Sequence, residues 1–398
     1  MNLKGKKLLI LGAGIHQVPL IETAKKMGVE THVCSIFGNY PGISLAPFFY
    51  EVDISNPKKV LKLAKRLEID GILTTATDVC LESIGFVVDE LNLSGTGLEN
   101  SKACFDKSIM KKRFLLNNIP TSKYIKVEKL QDAIDFFNNQ PSSCVLKPTD
   151  SSGSRGVIKV EDVEDIEQAY ITALRFSKAG DVIIEEWLEG EEFGAQVVVV
   201  NGKSTLMMMH SDITTPPPNR VPIGHGCPHP QETKLFTLVS EIIHNAVIAL
   251  GVNNTICNID FILTKCGPKV IELTCRMGGT HLPEVCGTYW GINLYKLAIE
   301  LSLGAKPSLP QTPSGPPNAA HNLILQTTGE LKKYGTMENF FQWNLYIKEG
   351  ENITFNVSNQ AEIGYVQIQG ADPSQVLIEA SKAASLFCET TEIQEIDV

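Results

Sequence analysis

Asp260 and Glu272 stand twelve positions apart in the stretch Cys257 to Gly279, CNIDFILTKCGPKVIELTCRMGG. Two apolar runs, Ile259 to Leu263 and Val270 to Thr274, flank a polar turn with Gly267 and Pro268, which predicts a β-hairpin. With Lys265 to Gly267 at the turn, the two carboxylates come out opposite one another on one face. Like charges set directly across a strand pair repel, so the pair calls for a cation, and oxygen ligands of this kind suit Mg²⁺ held beside phosphates. By the two-residue period of a strand, Glu272, Thr274 and Arg276 share that face while Ile271, Leu273 and Cys275 point to a core. The loop Met277-Gly278-Gly279-Thr280 then offers backbone N–H groups to an oxyanion or phosphate. For the hairpin alone, an ordinary exposed face carrying an Arg–Glu pair competes evenly with this reading.

Two lysines and a loop of small residues add a second phosphate signal. Asp106 predicts the N-cap of a helix from Lys107 to Asn117, closed by Asn118-Ile119-Pro120. Lys107 in the first turn opposes the helix dipole at a cost of roughly a few tenths of a kcal/mol, and a phosphate partner would account for it. Farther on, Cys144 to Leu146 and Val157 to Val160 read as strands around Asp150 to Gly156, DSSGSRG, with Lys147 just before the loop. The backbone of Ser151, Gly153, Ser154 and Gly156 could approach phosphate oxygens. The pattern GxxxxGK[ST] is absent, so this is a hairpin flap rather than a Walker loop.

Asp181 to Asn201 predicts two further strands. Glu185 shares a face with Trp187, and Glu186 with Leu188; a carboxylate beside an apolar wall can accept a purine amino group, and Glu192 follows at ribose distance. Taken singly, each of these glutamates also reads as surface decoration. The proline-dense segment Asp212 to Pro230 lacks apolar periodicity and reads as a long ordered loop, with Arg220 and His225 as candidate substrate contacts. Helices are expected at Glu232 to Leu250, Tyr289 to Leu303 and Pro373 to Phe387, and a linker at Lys306 to Pro317.

Composition bounds the rest. The 398 residues, 43% of them hydrophobic, allow two or three packed domains. A formal net charge of −10 without a Lys/Arg cluster argues against nucleic acid as a partner. No uninterrupted apolar run of about 20 residues and no signal-peptide pattern are evident, so no membrane partner and a cytoplasmic location are expected. Ten scattered cysteines without C-x-x-C spacing fit reduced thiols. The N-terminus opens as βαβ, and GAGIHQ resembles a dinucleotide turn. Gln17 replaces its third glycine, however, and no acid ends the second strand THVCSI, so a structural or substrate-facing turn is expected rather than an NAD site.

Lys107, Lys147, the small-residue flap, EEWLEGEEF and the D-F-x10-E-L-T-C-R hairpin occur in the order found in the ATP-grasp ligases, which the chain resembles over nearly its whole length. The nearest likeness is to the branch of biotin carboxylase and the L-amino acid ligases. It implies an α/β and α+β architecture: an ATP-grasp fold preceded by a small parallel α/β domain and followed by a small strand-rich domain. Its boundaries would be 1–100, 101–310 with a flap at about 120–185, and 311–398.

The resemblance further implies ATP and Mg²⁺, with Mn²⁺ as a substitute. Lys107 and Lys147 would meet phosphates under Ser151 to Gly156. Glu185 and the backbone of Glu186 to Leu188 would meet adenine, and Glu192 ribose. Asp260 and Glu272 would hold the metal, while Arg276 would steady an acyl phosphate, with Gly278 and Gly279 beside it. Thr274 stands where the family has asparagine, which puts a second metal ion in question. The implied activity is an ATP-dependent carboxylate–amine ligase acting on small-molecule acid and amine substrates, with a homodimer as a family-level expectation. Bicarbonate activation and a non-catalytic ATP-binding module are the alternatives.

Overall fold

The computed structural model describes residues 3–140, 143–215, 221–338, 340–353 and 362–395. It divides into two compact units, each made of separated stretches of chain. Unit 1 is 1–207, 234–279 and 293–309; unit 2 is 208–233, 280–292 and 310–398.

Unit 1 begins with four strands, β1 (Lys7–Leu11), β2 (Glu30–Ser35), β3 (Phe48–Glu51) and β4 (Gly71–Leu73), in the parallel order β3-β2-β1-β4. The run Leu8 to Leu11 is fully buried, as a parallel strand covered on both faces requires. At the glycine turn the Gln17 side chain accepts from the Gly14 N–H at 2.8 Å and donates to the Thr75 carbonyl at 2.6 Å. The Gln17 side chain therefore packs against the turn at Gly12 and Gly14, where a third glycine would leave space open.

The flap is an antiparallel sheet of β5 (Tyr124–Val127), β6 (Cys144–Pro148), β7 (Ile158–Val160) and β8 (Val182–Glu186), in the order β5-β8-β6-β7. Its core takes in Ala133, Ile166, Ala169 and Ala173 from the helices Leu130–Asn138 and Ile166–Phe176. The remaining sheet of unit 1 runs β9 (Glu191–Val200), then β12 and β13 after the intervening β10 (Lys203–Thr214) and β11 (Pro222–Cys227). Of these, β12 is Thr255–Thr264 and β13 Gly267–Thr274, paired antiparallel as the expected hairpin.

The helix Glu232–Leu250 meets the length and apolarity of a membrane span by composition. Leu235, Val239, Ile242, Ile243, Ala246, Val247 and Leu250 form a buried stripe along it, whereas Lys234, Glu241 and His244 interrupt the sequence, which is the pattern of an amphipathic core helix. In unit 2 the end of β10 pairs with β11, and β11 with β14 (Asn318–Ile324). Strands β15 (Gly329–Lys333), β16 (Gln342–Leu345), β17 (Asn352–Ile353), β18 (Glu362–Gln369) and β19 (Glu392–Glu395) complete two sheets. Helix Pro373–Thr390 buries Val376, Ala380, Ala384 and Phe387 against them.

Two expectations are corrected. Within 212–230, the end of β10 to Thr214 and β11 (Pro222–Cys227) are paired strands, with Asp212 opposite His225, where a long loop was expected. Proline density hid it: Pro222 opens β11, a position a strand tolerates, and 216–220 lie outside the described residues. The single helix expected at Tyr289 to Leu303 is two, Leu282–Trp290 and Leu294–Ser302. Gly291 at φ 66° stops the first, and the Asn293 side chain caps the second by accepting from Lys296 N.

Candidate functional site

The hairpin register sets Asp260 directly across from Glu272, with a β-bulge immediately after Asp260. Such an irregularity bends a strand and re-aims its side chains, and it recurs beside functional sites. Asp260 accepts from Asn258 Nδ2 at 2.8 Å; Asn258 in turn accepts from Gln196 Nε2, and Gln196 Oε1 takes the Gly278 N–H at 2.9 Å. A carboxamide relay thus ties the glycine loop to the acidic pair. It also commits the Gly278 N–H that the sequence offered to an oxyanion, while Gly279 sits so close to Ala76 that a Cβ there would lie 3.0 Å from it.

Three cations converge on the acids of this face. Lys107 Nζ lies 3.2 Å from Glu272 Oε2 and donates to the Ser151 carbonyl at 2.7 Å. Burial pushes the Glu272 carboxyl up, but the charges of Lys107, Lys147 and Arg276 outweigh it and hold the group below the usual range. Burial likewise opposes the Lys107 charge, and Glu272 overcomes it. The Asp106 side chain caps this helix by accepting from Ile109 N at 2.9 Å. Arg276 makes a two-pronged pair with Asp78, both contacts at 2.8 Å, and donates from Nη1 to the Met277 carbonyl at 3.0 Å. Asp78 lies 198 positions away in the chain, and nothing in the sequence marks it.

Thr274 is buried, faces Asn258 across the hairpin, and its hydroxyl has no hydrogen-bond partner among the described residues. Burying a hydroxyl without a bond is costly, so the orphaned Oγ1 two positions from Glu272 fits a ligand or a water held by an ion. Asp260, Glu272 and this hydroxyl form an all-oxygen donor set of the kind a hard divalent cation takes.

The flap loop leaves Ser151 beside Lys107, and Gly153, Ser154 and Gly156 all at positive φ. Gly156 is required twice over: its φ is 74°, and a Cβ would stand 2.8 Å from the Phe176 side chain.

Glu185 is where the structure departs most from the sequence reading. Instead of facing an open apolar wall, its Oε1 lies 2.9 Å from Lys147 Nζ. Its Oε2 lies 3.1 Å from Lys111 Nζ and accepts from the Ser122 hydroxyl at 2.6 Å. The carboxylate is thus neutralised by two lysines, while Oε1 makes no hydrogen bond among the described residues. Its neighbour Glu186 accepts from Lys269 at 2.7 Å and from the Lys123 N–H at 3.2 Å, while Leu188 and Glu192 are half-buried.

Lys111 was not singled out in the sequence, although it stands one helical turn after Lys107, the spacing that puts both on one face. Two lysines share one carboxylate here, so burial and the repulsion of Lys147 outweigh Glu185 and lower the Lys111 ammonium from 10.5 to about 8. Burial opposes the Glu185 charge as well, but Lys111, Lys147 and Ser122 bring it from 4.5 down to about 2. A lysine depressed in the fold binds its proton better when unfolded, so stability should rise as pH climbs through the window from about 8 to 10.5. Urea midpoints across that window should show the rise in the native protein and a flatter profile in Lys111→Met.

His225 belongs to unit 2, where its Nδ1 pairs with Asp212 at 2.7 Å. Arg220 lies outside the described residues.

The family described as "Phosphoribosylglycinamide synthetase, ATP-grasp (A) domain" matches residues 102–281. Phosphoribosylamine–glycine ligase of Streptococcus pyogenes is 27% identical over 296 residues, 68% of this chain and 69% of its own. The trifunctional purine biosynthetic protein adenosine-3 of Chironomus tentans is 27% identical over 299 residues, 69% of this chain, which spans only 22% of that protein's length. The crystal structure of phosphoribosylglycinamide synthetase from Anaerococcus prevotii superposes with a TM-score of 0.81 at 26% identity, covering 99% of this chain and all of that one.

Proposed function

Because this chain belongs to the ATP-grasp superfamily, we propose that it is an ATP-dependent carboxylate–amine ligase that activates a small acid, best an amino acid, and joins it to an amine. The observation that carries the reading is the gathering of Lys107, Lys147 and Arg276 around Glu272, with Asp260 across the hairpin. Phosphoryl transfer is mostly positioning and charge neutralisation, and this is an arrangement of the required signs. The matching ligase, whose name joins phosphoribosylamine to glycine, supports an amino-acid carboxylate and an amine as the reactant classes.

In this reading Lys107 and Lys147 orient the nucleotide's phosphates beneath the backbone of Ser151 to Gly156. The peptide groups of Glu186 to Leu188 take the base, and Glu192 takes the ribose. Asp260, Glu272 and the Thr274 hydroxyl hold Mg²⁺, which when bound draws off charge from the phosphate oxygens. A carboxylate oxygen of the acid attacks the terminal phosphorus, the bond to ADP breaks, and an acyl phosphate forms. The amine then attacks the acyl carbon, phosphate leaves, and the amine gives up a proton. Arg276, held in place by Asp78, keeps donor N–H groups for the anionic acyl group.

The test is phosphate release across pairs of amino acids and amines with mass spectrometry of the products. ADP and phosphate should appear in step with an amide product and require both reactants. Release that neither an acid nor an amine increases would sink the proposal, and release that depends on bicarbonate would replace it with carboxylation.

A further inference from the structure

Unit 2 contains a second constellation of metal-type ligands that the ligase reading does not use. Residues two apart share one face of a strand, so His210 and Asp212 project together from β10, and the register places His225 of β11 directly opposite Asp212. The structure brings His210 Nδ1 to 2.9 Å and His225 Nδ1 to 2.7 Å from the same carboxylate oxygen, Asp212 Oδ1, which leaves Oδ2 for a further bond. The two imidazole rings meet edge to face with centroids 5.5 Å apart. Nothing here is a solvated surface: the side chains of His210, Asp212 and His225 are 0%, 8% and 4% exposed.

A carboxylate this deep normally has a lysine or arginine beside it, and unit 1 follows that rule at Glu185 and Asp78. Among the described residues Asp212 has no such neighbour, and its ion partners there are the two imidazoles. A divalent cation seated against the two rings would neutralise this carboxylate.

We propose that His210, Asp212 and His225 form a binding site for a divalent transition cation of the Zn²⁺ class. Two imidazole nitrogens and one carboxylate oxygen suit such borderline ions, whereas Mg²⁺ and Ca²⁺ favour oxygen alone. At ligand distances of about 2.0–2.2 Å, an ion needs neighbouring donors roughly 3 Å apart, close to the separations of both histidine nitrogens from Oδ1. Binding asks only that each ring carry its proton on Nε2, so that two N–H···O contacts become two nitrogen–metal bonds with no net proton released. Three protein ligands leave a coordination position open. The site is independent of the acidic hairpin in unit 1 and of the ligase reading.

The experiment uses the full chain, stripped with a chelator and then titrated with Zn²⁺ in excess Mg²⁺. Metal retained through gel filtration is measured by elemental analysis, and Co²⁺ replaces Zn²⁺ for visible spectroscopy. The native protein should retain one equivalent and show the ligand-field bands of imidazole-bound Co²⁺. Asp260→Asn, which alters the hairpin, should retain it equally. Asp212→Asn and His225→Gln should weaken it by at least roughly tenfold. Should either variant fail to fold, the Co²⁺ spectrum of the native chain still decides. No retained metal, no bands, or retention unchanged in a folded Asp212→Asn would overturn the site and leave a hydrogen-bonded His–Asp–His triad.

Discussion

Replacing Glu272 by Gln should lower kcat/KM for ATP by roughly 10²–10³, the scale of losing one preorganised electrostatic group. The substitution keeps the volume and a carbonyl oxygen but removes the charge opposite Asp260. It also deprives Lys107 of its ion partner, leaving that ammonium with the Ser151 carbonyl. Metal affinity should suffer more than nucleotide affinity, so raising Mg²⁺ should recover part of the rate. Asp260→Asn should behave alike, and the double variant should be little worse than either single one, because two groups that hold one ion act as a unit. Phosphate release as a function of Mg²⁺ measures all three. Native turnover in Glu272→Gln would show that the paired acids do not hold the metal.

The largest stability effect is expected from Glu185→Gln. It leaves Lys111 and Lys147 buried with like charges and no carboxylate between them. Breaking a buried pair by removing one partner costs about 3–5 kcal/mol. Lys111→Met should cost far less, since Glu185 keeps Lys147 and the Ser122 hydroxyl.

The sign with pH follows from the carboxyl. Glu185 is depressed from 4.5 to about 2, so its contribution is complete above pH 4.5 and is lost as the pH falls through that interval. Denaturant midpoints between these values should fall in the native protein and flatten in Glu185→Gln. A loss below about 1 kcal/mol at neutral pH would mean that water reaches the cluster and screens it.

What the chain discloses on its own depends on how far apart interacting residues lie. The hairpin was legible because its strands and turn lie within twenty positions, whereas the exact facing of Asp260 and Glu272 also needs the β-bulge after Asp260, which no residue there announces. The Asp106 cap and the flap hairpin are equally local. For Glu185, strand periodicity gives its face and not what lies on it; Lys111 and Ser122 arrive there from elsewhere in the chain. Asp78 could not be tied to Arg276 by any spacing rule. The His-x-Asp of β10 was present in the text, but its third member required the register with β11, and the prolines around it concealed that strand.

The order in which the chain visits its two units limits how the protein can be taken apart. The stretch from 310 onward carries β14, β16 and β18, but β11, which hydrogen-bonds along β14 from Gly224↔His321 to Cys227↔Asn318, comes from nearly a hundred residues upstream. A fragment cut at the proline-rich connection would present that ladder bare, a template for joining other chains. Expression of the carboxy-terminal piece should therefore give aggregates, and inserting a foreign domain at the connection should be tolerated far better than severing it.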